Sequence, residues 1–428
     1  MEGLGASTRF KEFLQDNGLD ERIYTDCPDL PRYIRVNPRF ADTCMSDVER
    51  ELGAKLHPVS WLPGFYTVSG DVGIAGCSAY KEGRIYGIDA ASGAAVAALQ
   101  LSPGDHVLDL CAAPGAKMCM IADILNGAGS VTAVDIAQPR IATCRTLALK
   151  YKSPNCRLFL GDGSVFSVPP PSGSTCEVGK QRGRKKRAVA GSGSGPAPVA
   201  VTEALPEPFF CNFGGEAAPS YSESAEVAAE EGGGRQHIEI NDTPTGSAAA
   251  GDHAEGEEDA PRYLRGENDR DEAKPKCGGV YYDAVLVDAE CTHDGSIKHL
   301  TKYDKWGWDT FERRFLDPER IRSVTNLQRR LLRNGLARLK PGGYLVYSTC
   351  SFTRAQNEDV VCAVLQETNG AAELVPIACG EEWPGTPGFL EHTLRFDPRH
   401  SNTSGLFVAR ILKRSNGEST EVQAELAS

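Results

Sequence analysis

Two cysteines follow predicted strands at positions where a sheet protein places its reactive groups. Cys350 lies in the run Tyr347-Ser-Thr-Cys-Ser-Phe-Thr353, and Cys291 closes the run Val285-Leu-Val-Asp-Ala-Glu-Cys291. The carboxyl ends of parallel strands meet at one crevice of an open α/β sheet, so both thiols are expected there. A thiolate in such a place is a nucleophile. A buried, inert thiol is the alternative for either cysteine taken alone.

Strands alternate with helices from residue 105 onward. This alternation predicts a doubly wound, Rossmann-like parallel sheet, an α/β fold with helices on both faces. The predicted strands cover residues 106–110, 130–134, 157–160, 282–287, 344–348 and 404–411, and the predicted helices cover residues 116–125, 140–151 and 318–339.

The turn after the first of these strands is a candidate cofactor site. It reads Cys111-Ala-Ala-Pro-Gly-Ala-Lys117, which is not the dinucleotide pattern G-x-G-x-x-G, and its small residues let a ligand approach the next helix. Asp135, Asp162 and Asp288 end the following strands, where carboxylates accept hydrogen bonds from a ribose or a base. Because the chain has no Gly-Lys-Ser/Thr phosphate loop, an adenosine without phosphates fits best. Helix capping is the alternative role for each aspartate.

The 428 residues predict two folded units with additional material. Residues 168–278 are rich in Ser, Gly, Pro, Ala and Glu, so we expect a disordered insert. Residues 188–278 hold 18 acidic and 6 basic side chains, which accounts for the whole net charge of −12. The predicted domains are an N-terminal α+β domain that binds RNA (1–98), a core in two parts (99–167 and 279–414), the insert (168–278) and a loose tail (415–428).

The 14 cysteines show neither CxxC pairs nor metal-type spacing, so no metal site is predicted. No apolar run is long enough for a signal sequence or a membrane span. A reducing intracellular compartment and a monomer without membrane contact are expected. Lys180-Gln-Arg-Gly-Arg-Lys-Lys-Arg187 is either a nuclear import signal or a loose RNA contact, so the predicted location is the nucleus or the cytoplasm, with the nucleus favoured.

Several motifs together resemble the Sun-type (NSUN/RsmB-like) RNA cytosine-5 methyltransferases. They are Asp109-Leu-Cys-Ala-Ala-Pro-Gly-Ala-Lys117, Asp288-Ala-Glu-Cys291, Ser348-Thr-Cys-Ser351 with Asn357-Glu358, Arg35-Val-Asn37, Gly87-Ile-Asp-Ala-Ala-Ser92 and Gly405-Leu-Phe-Val-Ala409. The resemblance implies a class I methyltransferase fold and 5-methylcytosine formation in tRNA or rRNA. It also implies S-adenosyl-L-methionine as cofactor, and the predicted cofactor residues are Cys111, Ala112, Ala113, Pro114, Gly115, Ala116, Lys117, Asp135, Arg140, Asp162, Gly163 and Asp288.

The chemistry of this reaction needs one activated thiol. A thiolate added to carbon 6 of cytosine makes carbon 5 nucleophilic toward a sulfonium methyl group, and loss of the carbon 5 proton then expels the thiolate. The resemblance implies that Cys350 is this nucleophile and that Cys291 helps to release the product. Asp288 is expected to hold the cytosine edge, and Lys117 is a cation that favours the Cys350 thiolate.

The sequence departs from the family pattern beside Cys291. Glu290 replaces a proline, and Thr292-His-Asp-Gly-Ser296 replaces a Ser-Gly-rich continuation. His293 is interpreted as a polar loop residue rather than a catalytic base, and Ala116 replaces a glycine at a position predicted to be helical. A catalytically weak RNA-binding or scaffold protein that retains the fold is the alternative function, supported by Glu290. DNA methylation is disfavoured because its nucleophile would follow a proline.

A basic stretch is a candidate RNA surface. Residues 291–340 hold 12 Lys or Arg against 6 Asp or Glu. Trp306 and Trp308 either stack on bases or pack in the core, with the core expected for at least one of them. Phosphate contacts or a solvated helix face are the two interpretations of the arginines, which are Arg313, Arg314, Arg320, Arg322, Arg329, Arg330 and Arg333.

Overall fold

The computed structural model of the chain describes residues 7–26, 29–171, 206–213, 280–300, 302–378 and 382–415. Its strands are β1 (Arg32–Val36), β2 (His57–Pro58), β3 (Phe65–Val68), β4 (Ile85–Gly87), β5 (His106–Asp109), β6 (Ser130–Asp135), β7 (Cys156–Leu160), β8 (Phe210–Cys211), β9 (Tyr282–Asp288), β10 (Leu339–Thr349), β11 (Ala372–Leu374), β12 (Thr386–Pro387), β13 (Thr393–Phe396) and β14 (Leu406–Lys413). Its α-helices are α1 (Thr8–Asp16), α2 (Arg22–Thr25), α3 (Met45–Leu52), α4 (Ser78–Lys81), α5 (Ala90–Ala97), α6 (Ala116–Leu125), α7 (Gln138–Lys150), α8 (Ile297–Leu300), α9 (Tyr303–Trp306), α10 (Trp308–Phe311), α11 (Pro318–Arg338), α12 (Glu358–Glu367) and α13 (Pro398–Ser401). A π-helical turn covers Glu312–Leu316, and a 3₁₀ turn covers Arg354–Gln356.

The large sheet has five parallel strands at its centre. In the described part of the chain its order is β12-β13-β14-β10-β9-β5-β6-β7-β8, with β11 paired to β14. Strands β10, β9, β5, β6 and β7 are parallel neighbours, whereas β14 and β8 join antiparallel at the two sides. The predicted doubly wound α/β sheet is thereby confirmed. Chain order reverses between β5 and β9, the place where open α/β sheets bind ligands.

Helices cover both faces of this sheet, and alternate strand residues supply the two cores. Val107 and Leu158 belong to one buried cluster together with Met118 of α6. Leu108 and Phe159, one residue further along the same strands, belong to the other cluster together with side chains of α11 and α12. This alternation explains why the parallel strands have nearly continuous apolar runs.

Local sequence sets the ends of the helices beside the crevice. The carboxylate of Asp317 accepts hydrogen bonds from the backbone N–H groups of Glu319 and Arg320, and Pro318 occupies the first turn of α11. Helix α6 ends at Asn126, which adopts the left-handed conformation that stops a helix. Helix α11 therefore begins, and helix α6 ends, where the sequence pattern predicted.

A smaller antiparallel sheet, of order β2-β3-β1-β4, precedes the large sheet. Its side chains share a buried cluster with α5 and α6. The guanidinium group of Arg35 donates to the carboxylate of Asp123 in α6, and Arg39 Nη2 lies 3.2 Å from the same carboxylate. Asn37 Nδ2 donates to the carbonyl oxygens of Gly83 and Tyr151 at 2.9 and 3.0 Å. The motif Arg35-Val-Asn37 thus ties the first sheet to the core.

Three predicted elements differ from the structure. The apolar, alanine-rich run 90–101 before Pro103-Gly104 predicts a helix to residue 101, but helix α5 ends at Ala97. Pro341-Gly-Gly343 predicts a turn between the helix 318–339 and the strand 344–348, but strand β10 begins at Leu339 and extends across it, with a register shift between Leu339 and Tyr344 and a positive φ at Gly342. The two-residue strand Phe210–Cys211 lies inside the segment predicted to be disordered, because its side chains are buried against β7. The run 180–187, most of the insert and residues 416–428 lie outside the described residues.

Candidate active site

Five strand ends surround one cavity at the edge of the large sheet. Its volume is about 870 Å³, and its lining includes residues that follow β5, β6, β7, β9 and β10. Cys111, Asp135, Asp162, Asp288 and Cys350 represent these five ends in that order. Residues that lie up to 239 positions apart in the sequence are therefore brought to one site by strand order alone.

The turn between β5 and α6 is held by its own backbone and by the next strand. Gly115 has a φ of 108°, and a Cβ there would lie 3.1 Å from the Cα of Cys144, so only glycine fits without strain. Asp135 Oδ2 accepts from the backbone N–H of Ala113 at 3.3 Å, and Arg140 Nη2 donates to the Ala113 carbonyl at 3.0 Å. The Ala113-Pro114 peptide bond is cis. Asp135 and Arg140 thus shape the turn as well as face the cavity.

The predicted cofactor residues all lie at this crevice. Those that line the large cavity are Cys111, Ala113, Pro114, Lys117, Asp135, Arg140, Asp162, Gly163 and Asp288. Ala112, Gly115 and Ala116 line a neighbouring cavity of about 150 Å³, which also has Cys111, Ala113, Pro114, Lys117 and Asp288 in its wall. Ala116 is the first residue of α6, as predicted.

Asp288 connects the cofactor side of the cavity to the thiol side. Its Oδ2 atom lies 2.8 Å from Lys117 Nζ, and its Oδ1 atom accepts from Ser348 Oγ at 2.7 Å. Burial would lower the pKa of Lys117, but the adjacent Asp288 carboxylate raises it above its ordinary value. The lysine is therefore charged and oriented by Asp288.

The two strand-end thiols are in contact. Cys350 Sγ lies 3.3 Å from Cys291 Sγ and 3.0 Å from His293 Nδ1. Cys350 faces the cavity, whereas Cys291 is 1% exposed and lies behind it. The geometry places one thiol where a substrate base can reach it and keeps the second within hydrogen-bonding distance of the first.

The environments of the two thiols shift their acidities in opposite directions. The hydrogen bond from Cys291 and, after it, the positive charge and hydrogen bond of His293 lower the pKa of Cys350 to about 5, although burial acts against them. Burial raises the pKa of Cys291 well above that of an ordinary thiol. At neutral pH, Cys350 is therefore a thiolate and Cys291 the thiol that donates to it.

Cys350 has closer stabilising partners than the one expected from the sequence. Lys117, predicted to favour the thiolate, interacts with the Cys350 charge, while its Nζ atom is bound to the carboxylate of Asp288. Cys291 and His293 contact the Cys350 sulfur directly. The contact of His293 with this sulfur was not predicted, because it depends on a loop conformation with φ of 56°.

Glycines fasten the loop after β9 to the loop after β10. The backbone N–H of Gly295 donates to the carbonyl of Cys350 at 2.8 Å, and Gly405 donates to the carbonyl of Gly295 at 2.8 Å. A Cβ at Gly295 would lie 2.7 Å from the Cys350 carbonyl oxygen. This close backbone approach fixes the position of Cys350 relative to Cys291.

Glu290, the residue in the place of the family proline, is bound to side chains of α11. Its carboxylate forms an ion pair with Arg320 of α11, and its carbonyl accepts from Gln328 Nε2 at 2.7 Å. The side chain of Glu290 lines the cavity and is 35% exposed. The substitution therefore adds a charge that is matched by a neighbouring cation.

Aromatic and basic side chains extend the cavity toward the surface. Trp308 is buried in the core, which confirms the core position expected for at least one tryptophan, and Trp306 is 58% exposed in the cavity wall, where base stacking stays a prediction. Arg320 and Arg333 are bound to Glu290 and Glu367. Most of the predicted arginines are exposed, namely Arg313, Arg314, Arg320, Arg322, Arg330 and Arg333.

The sequence did not assign a site role to several residues of the cavity wall. The half-buried Asp89 accepts from the backbone N–H of Ser404 at 3.2 Å, and both residues line the cavity. They lie in or beside the motifs 87–92 and 405–409, which carried the family resemblance and were the available signal. His299 also lines the cavity, but no motif contains it.

Cys291, His293 and Cys350 are grouped closely enough to attract a soft metal ion. Their donor atoms lie within 4.8 Å of one another. The hydrogen bonds among the same atoms account for this grouping without an ion. The expectation that the protein has no metal site stays a prediction. In the described ranges, no helix combines the length and the apolar character that a transmembrane span requires.

The fold that carries this site is that of the Rossmann-like class I methyltransferases. A methyltransferase homologue from Pyrococcus horikoshii shares the fold with a TM-score of 0.54 and 21% identity, covering 95% of this chain and 99% of that one. The structure of NSun6 from Pyrococcus horikoshii with SFG has a TM-score of 0.58 and 15% identity, with coverage of 96% and 99%.

Within this class, the chain belongs to the 16S rRNA methyltransferase RsmB/F family, whose model matches residues 96–168 and 265–412. Over 139 residues it is 36% identical to the ribosomal RNA small subunit methyltransferase F of Salmonella paratyphi A, covering 32% of this chain and 26% of the relative. It is 33% identical over 139 residues to the tRNA (cytosine(49)-C(5))-methyltransferase of Pyrococcus abyssi, covering 31% and 42%. The matching region thus spans less than half of either relative. The family resemblance predicted from the sequence is confirmed.

Proposed function

We propose that this protein is an S-adenosyl-L-methionine-dependent methyltransferase that forms 5-methylcytosine in tRNA or rRNA, with Cys350 as the nucleophile. The observation that carries the proposal is the position of the acidic Cys350 thiol in the same cavity as the turn 111–117 and the strand-end carboxylates. The relatives from Salmonella and Pyrococcus abyssi are named for rRNA and tRNA methylation, which supports RNA as the substrate.

The residues of the cavity suit the proposed cofactor. Asp135 and Asp162 provide acceptors at neighbouring strand ends, and the exposed side chain of Ile136 provides an apolar surface beside them for a purine ring. Gly115, whose positive φ a side chain would strain, lines the neighbouring cavity with its backbone. SFG, an analogue of S-adenosylmethionine, is named with the archaeal structure of the same fold. When bound, S-adenosylmethionine supplies the methyl group that carbon 5 of cytosine takes.

The chain's own residues would perform the remaining steps. The Cys350 thiolate adds to carbon 6 of the cytosine, which makes carbon 5 nucleophilic. Asp288, held by Lys117 and Ser348, is in position to bind the edge of the base. After methyl transfer, solvent water takes the proton from carbon 5, the electron pair of that bond forms the double bond to carbon 6, and the bond between carbon 6 and sulfur breaks, which returns Cys350 to the thiolate. We assign Cys291 to this release, since its sulfur contacts that of Cys350.

The target cytosine must leave a base stack to reach Cys350. A cytosine stacked inside an RNA helix cannot bring its carbon 6 to a thiol inside a protein cavity. The site therefore requires an unpaired or flipped nucleotide. The exposed Trp306, Arg314 of the π-helical turn and Arg320 of α11 line the wall of the cavity. We assign this part of the wall to RNA binding, and we retain the nucleus or the cytoplasm as the proposed location.

The decisive experiment is transfer of a tritiated methyl group to cellular RNA by wild type and by Cys350→Ala. We expect the variant to lose at least about a thousandfold in rate, because no other group can form the adduct. Cys362→Ala, a change at a cysteine of α12 outside the cavity, is the matched control and should retain full activity. Equal labelling by wild type and Cys350→Ala would refute the proposal. Absence of labelling by wild type would favour a scaffold function.

The RNA target can be found in cells. Bisulfite sequencing of RNA from cells that lack this protein should reveal at least one cytosine that has lost its methyl group. Re-expression of the wild-type chain should restore that methyl group, whereas re-expression of Cys350→Ala should not. Loss of methylation in tRNA or in rRNA would also decide between the two proposed substrate classes.

A further inference from the structure

A histidine stands beside the proposed nucleophile in a position that no feature of the reaction described above uses. His293 Nδ1 lies 3.0 Å from Cys350 Sγ, whereas its distance to Cys291 Sγ is 3.8 Å. The ring is mostly buried and lines the cavity. A nitrogen at hydrogen-bonding distance from a thiol is the geometry required of a base that activates it.

The loop holds the imidazole in place from three directions. His293 has a φ of 56°, and its backbone N–H donates to Cys291 Sγ at 3.4 Å. The ring packs edge-on against Phe315, with ring centroids 5.5 Å apart. The hydrogen bond from the backbone N–H of Gly295 to the Cys350 carbonyl holds the loop against the strand end that carries the nucleophile. A non-glycine residue in this backbone conformation is uncommon, and such outliers concentrate at functional sites.

We propose that His293 is a catalytic base, which takes the proton of the Cys350 thiol and stays beside the thiolate as an imidazolium. This inference rests on the proposed function. The S–H bond of Cys350 breaks, its proton moves to Nδ1 of His293, and the electron pair stays on sulfur. When the bond from carbon 6 to sulfur breaks after methylation, the thiolate returns to the same imidazolium. The proton that the reaction releases is therefore the one from carbon 5.

The charges that surround His293 favour this ion pair. Burial alone would lower the pKa of His293, but the negative charge of Cys350 and their hydrogen bond raise it above its ordinary value, with smaller contributions from Glu290 and Asp294. From α8, His299 faces the ring at a centroid distance of 5.7 Å, and burial lowers the pKa of His299, with His293, Lys302 and Arg314 acting in the same direction. His299 is thus neutral when His293 is charged.

Other candidates for the base are bound elsewhere. Lys117 Nζ and Asp288 Oδ2 form an ion pair at 2.8 Å, and the carboxylate of Glu290 is bound to Arg320. Burial keeps the neighbouring Cys291 a thiol, because it raises the pKa of that residue. Among the described groups that contact the Cys350 sulfur, His293 is therefore the one that can accept a proton.

The test measures the acidity of Cys350 in the full-length protein without RNA. Alkylation of Cys350 by iodoacetamide is followed by peptide mass spectrometry from pH 5 to pH 9 in wild type, His293→Gly and His293→Asn. Glycine and asparagine both tolerate the left-handed backbone at this position, so these variants should fold. His400→Ala removes an exposed histidine outside the cavity and is the matched control.

We expect loss of His293 to raise the pKa of Cys350, because the hydrogen bond from Cys291 then acts alone. At pH 6 the alkylation rate should fall by about tenfold to a hundredfold, and at pH 9 the rates should converge, because each unit of pKa changes the thiolate fraction tenfold below the pKa. Added imidazole should restore the pH 6 rate in His293→Gly, where it can fill the vacated space, but not in His293→Asn. His400→Ala should match wild type.

The outcomes separate this inference from the proposed function. An unchanged alkylation profile in both His293 variants would overturn the role of His293, even if wild type methylates RNA normally. A shifted profile together with imidazole rescue would support it, and the pH profile of RNA methylation should then shift in the same direction. If wild type failed to methylate RNA while the alkylation profile still shifted, the proposed function would fall and the proton transfer would remain.

Discussion

The two sides of the cavity are built in different ways. On the cofactor side, Cys111 to Lys117, Asp135 and Arg140 are organised mainly by a glycine turn and by hydrogen bonds to backbone atoms. On the thiol side, Cys350 is organised by side chains of a loop that precedes it by about 60 residues. The first side presents fixed polar groups to a ligand, whereas the second side changes the chemical state of one atom.

Cys111 on the cofactor side and Cys350 on the thiol side also differ in pKa. Burial raises the pKa of Cys111 well above the usual range, with Asp109 and Asp288 acting in the same direction. The hydrogen bond from Cys291 lowers the pKa of Cys350, and the charge and hydrogen bond of His293 act in the same direction. Both cysteines follow parallel strands and line the same cavity, so strand position alone does not make a thiol reactive. The partners that contact the sulfur decide its reactivity.

Removal of the Cys291 thiol should have the largest effect on the thiol side of the cavity. We expect Cys291→Ala to reduce turnover by about a hundredfold or more, because the hydrogen bond from Cys291 that stabilises the departing Cys350 thiolate is lost. Because release is the step assigned to Cys291, a covalent complex of protein and RNA should accumulate and survive a denaturing gel.

The control for this change is Cys362→Ala, which should form no persistent complex. The double variant Cys291→Ala/Cys350→Ala should also form none, because the nucleophile is gone. If Cys291→Ala turned over RNA at the wild-type rate, the assignment of product release to this residue would be wrong.

A change at Gly115 tests the cofactor side with a smaller effect. Gly115→Ala places a Cβ in a backbone conformation that costs about 1–3 kcal/mol for other residues. If the turn relaxes to relieve this strain, affinity for S-adenosyl-L-methionine should fall by at least about fivefold in calorimetric titration. Gly76→Ala is the control, since nothing lies within 4 Å of its added Cβ and no positive φ is required there. Equal affinities of the two variants would show that the turn does not depend on Gly115.

The smallest effect is expected at Glu290, which lies between the two sides. Its ion pair with Arg320 is partly exposed, with 35% and 42% of the two side chains accessible. Glu290→Gln should therefore change the free energy of unfolding by less than about 1 kcal/mol, as measured by urea denaturation. The alkylation rate of Cys350 at pH 6 should change little, because Glu290 contributes less to the pKa of His293 than Cys350 does. A large loss of methyl transfer would contradict this expectation.

The sequence predicted the parallel sheet and most bounds of its helices because the signals are local. Strand β5, the small-residue turn and helix α6 follow one another within 20 residues, and apolar runs and turn residues mark each boundary. The cofactor side and the two thiols could be proposed for the same reason, since strand ends in a doubly wound sheet share one edge. Their catalytic roles stay predictions.

The remaining features depend on contacts between distant parts of the chain. His293 reads as a polar loop residue until its positive φ and its distance to Cys350 are known. The pair of Glu290 with Arg320 joins positions 30 residues apart and has no local pattern. The burial of Phe210–Cys211 against β7 follows from an empty sheet edge rather than from its own composition. Tertiary context, which no single window of sequence contains, determined each of these.

The backbone hydrogen bond between Gly295 and Cys350 links the reactivity of the Cys350 thiol to folding of the chain. It forms only when β9 and β10 lie side by side, and the same pairing brings Cys291 and His293 to the Cys350 sulfur. A newly made or partly unfolded chain therefore carries Cys350 as an ordinary, largely protonated thiol. The Cys350 thiol therefore becomes reactive only after the sheet has folded and the cavity that confines this thiol has formed.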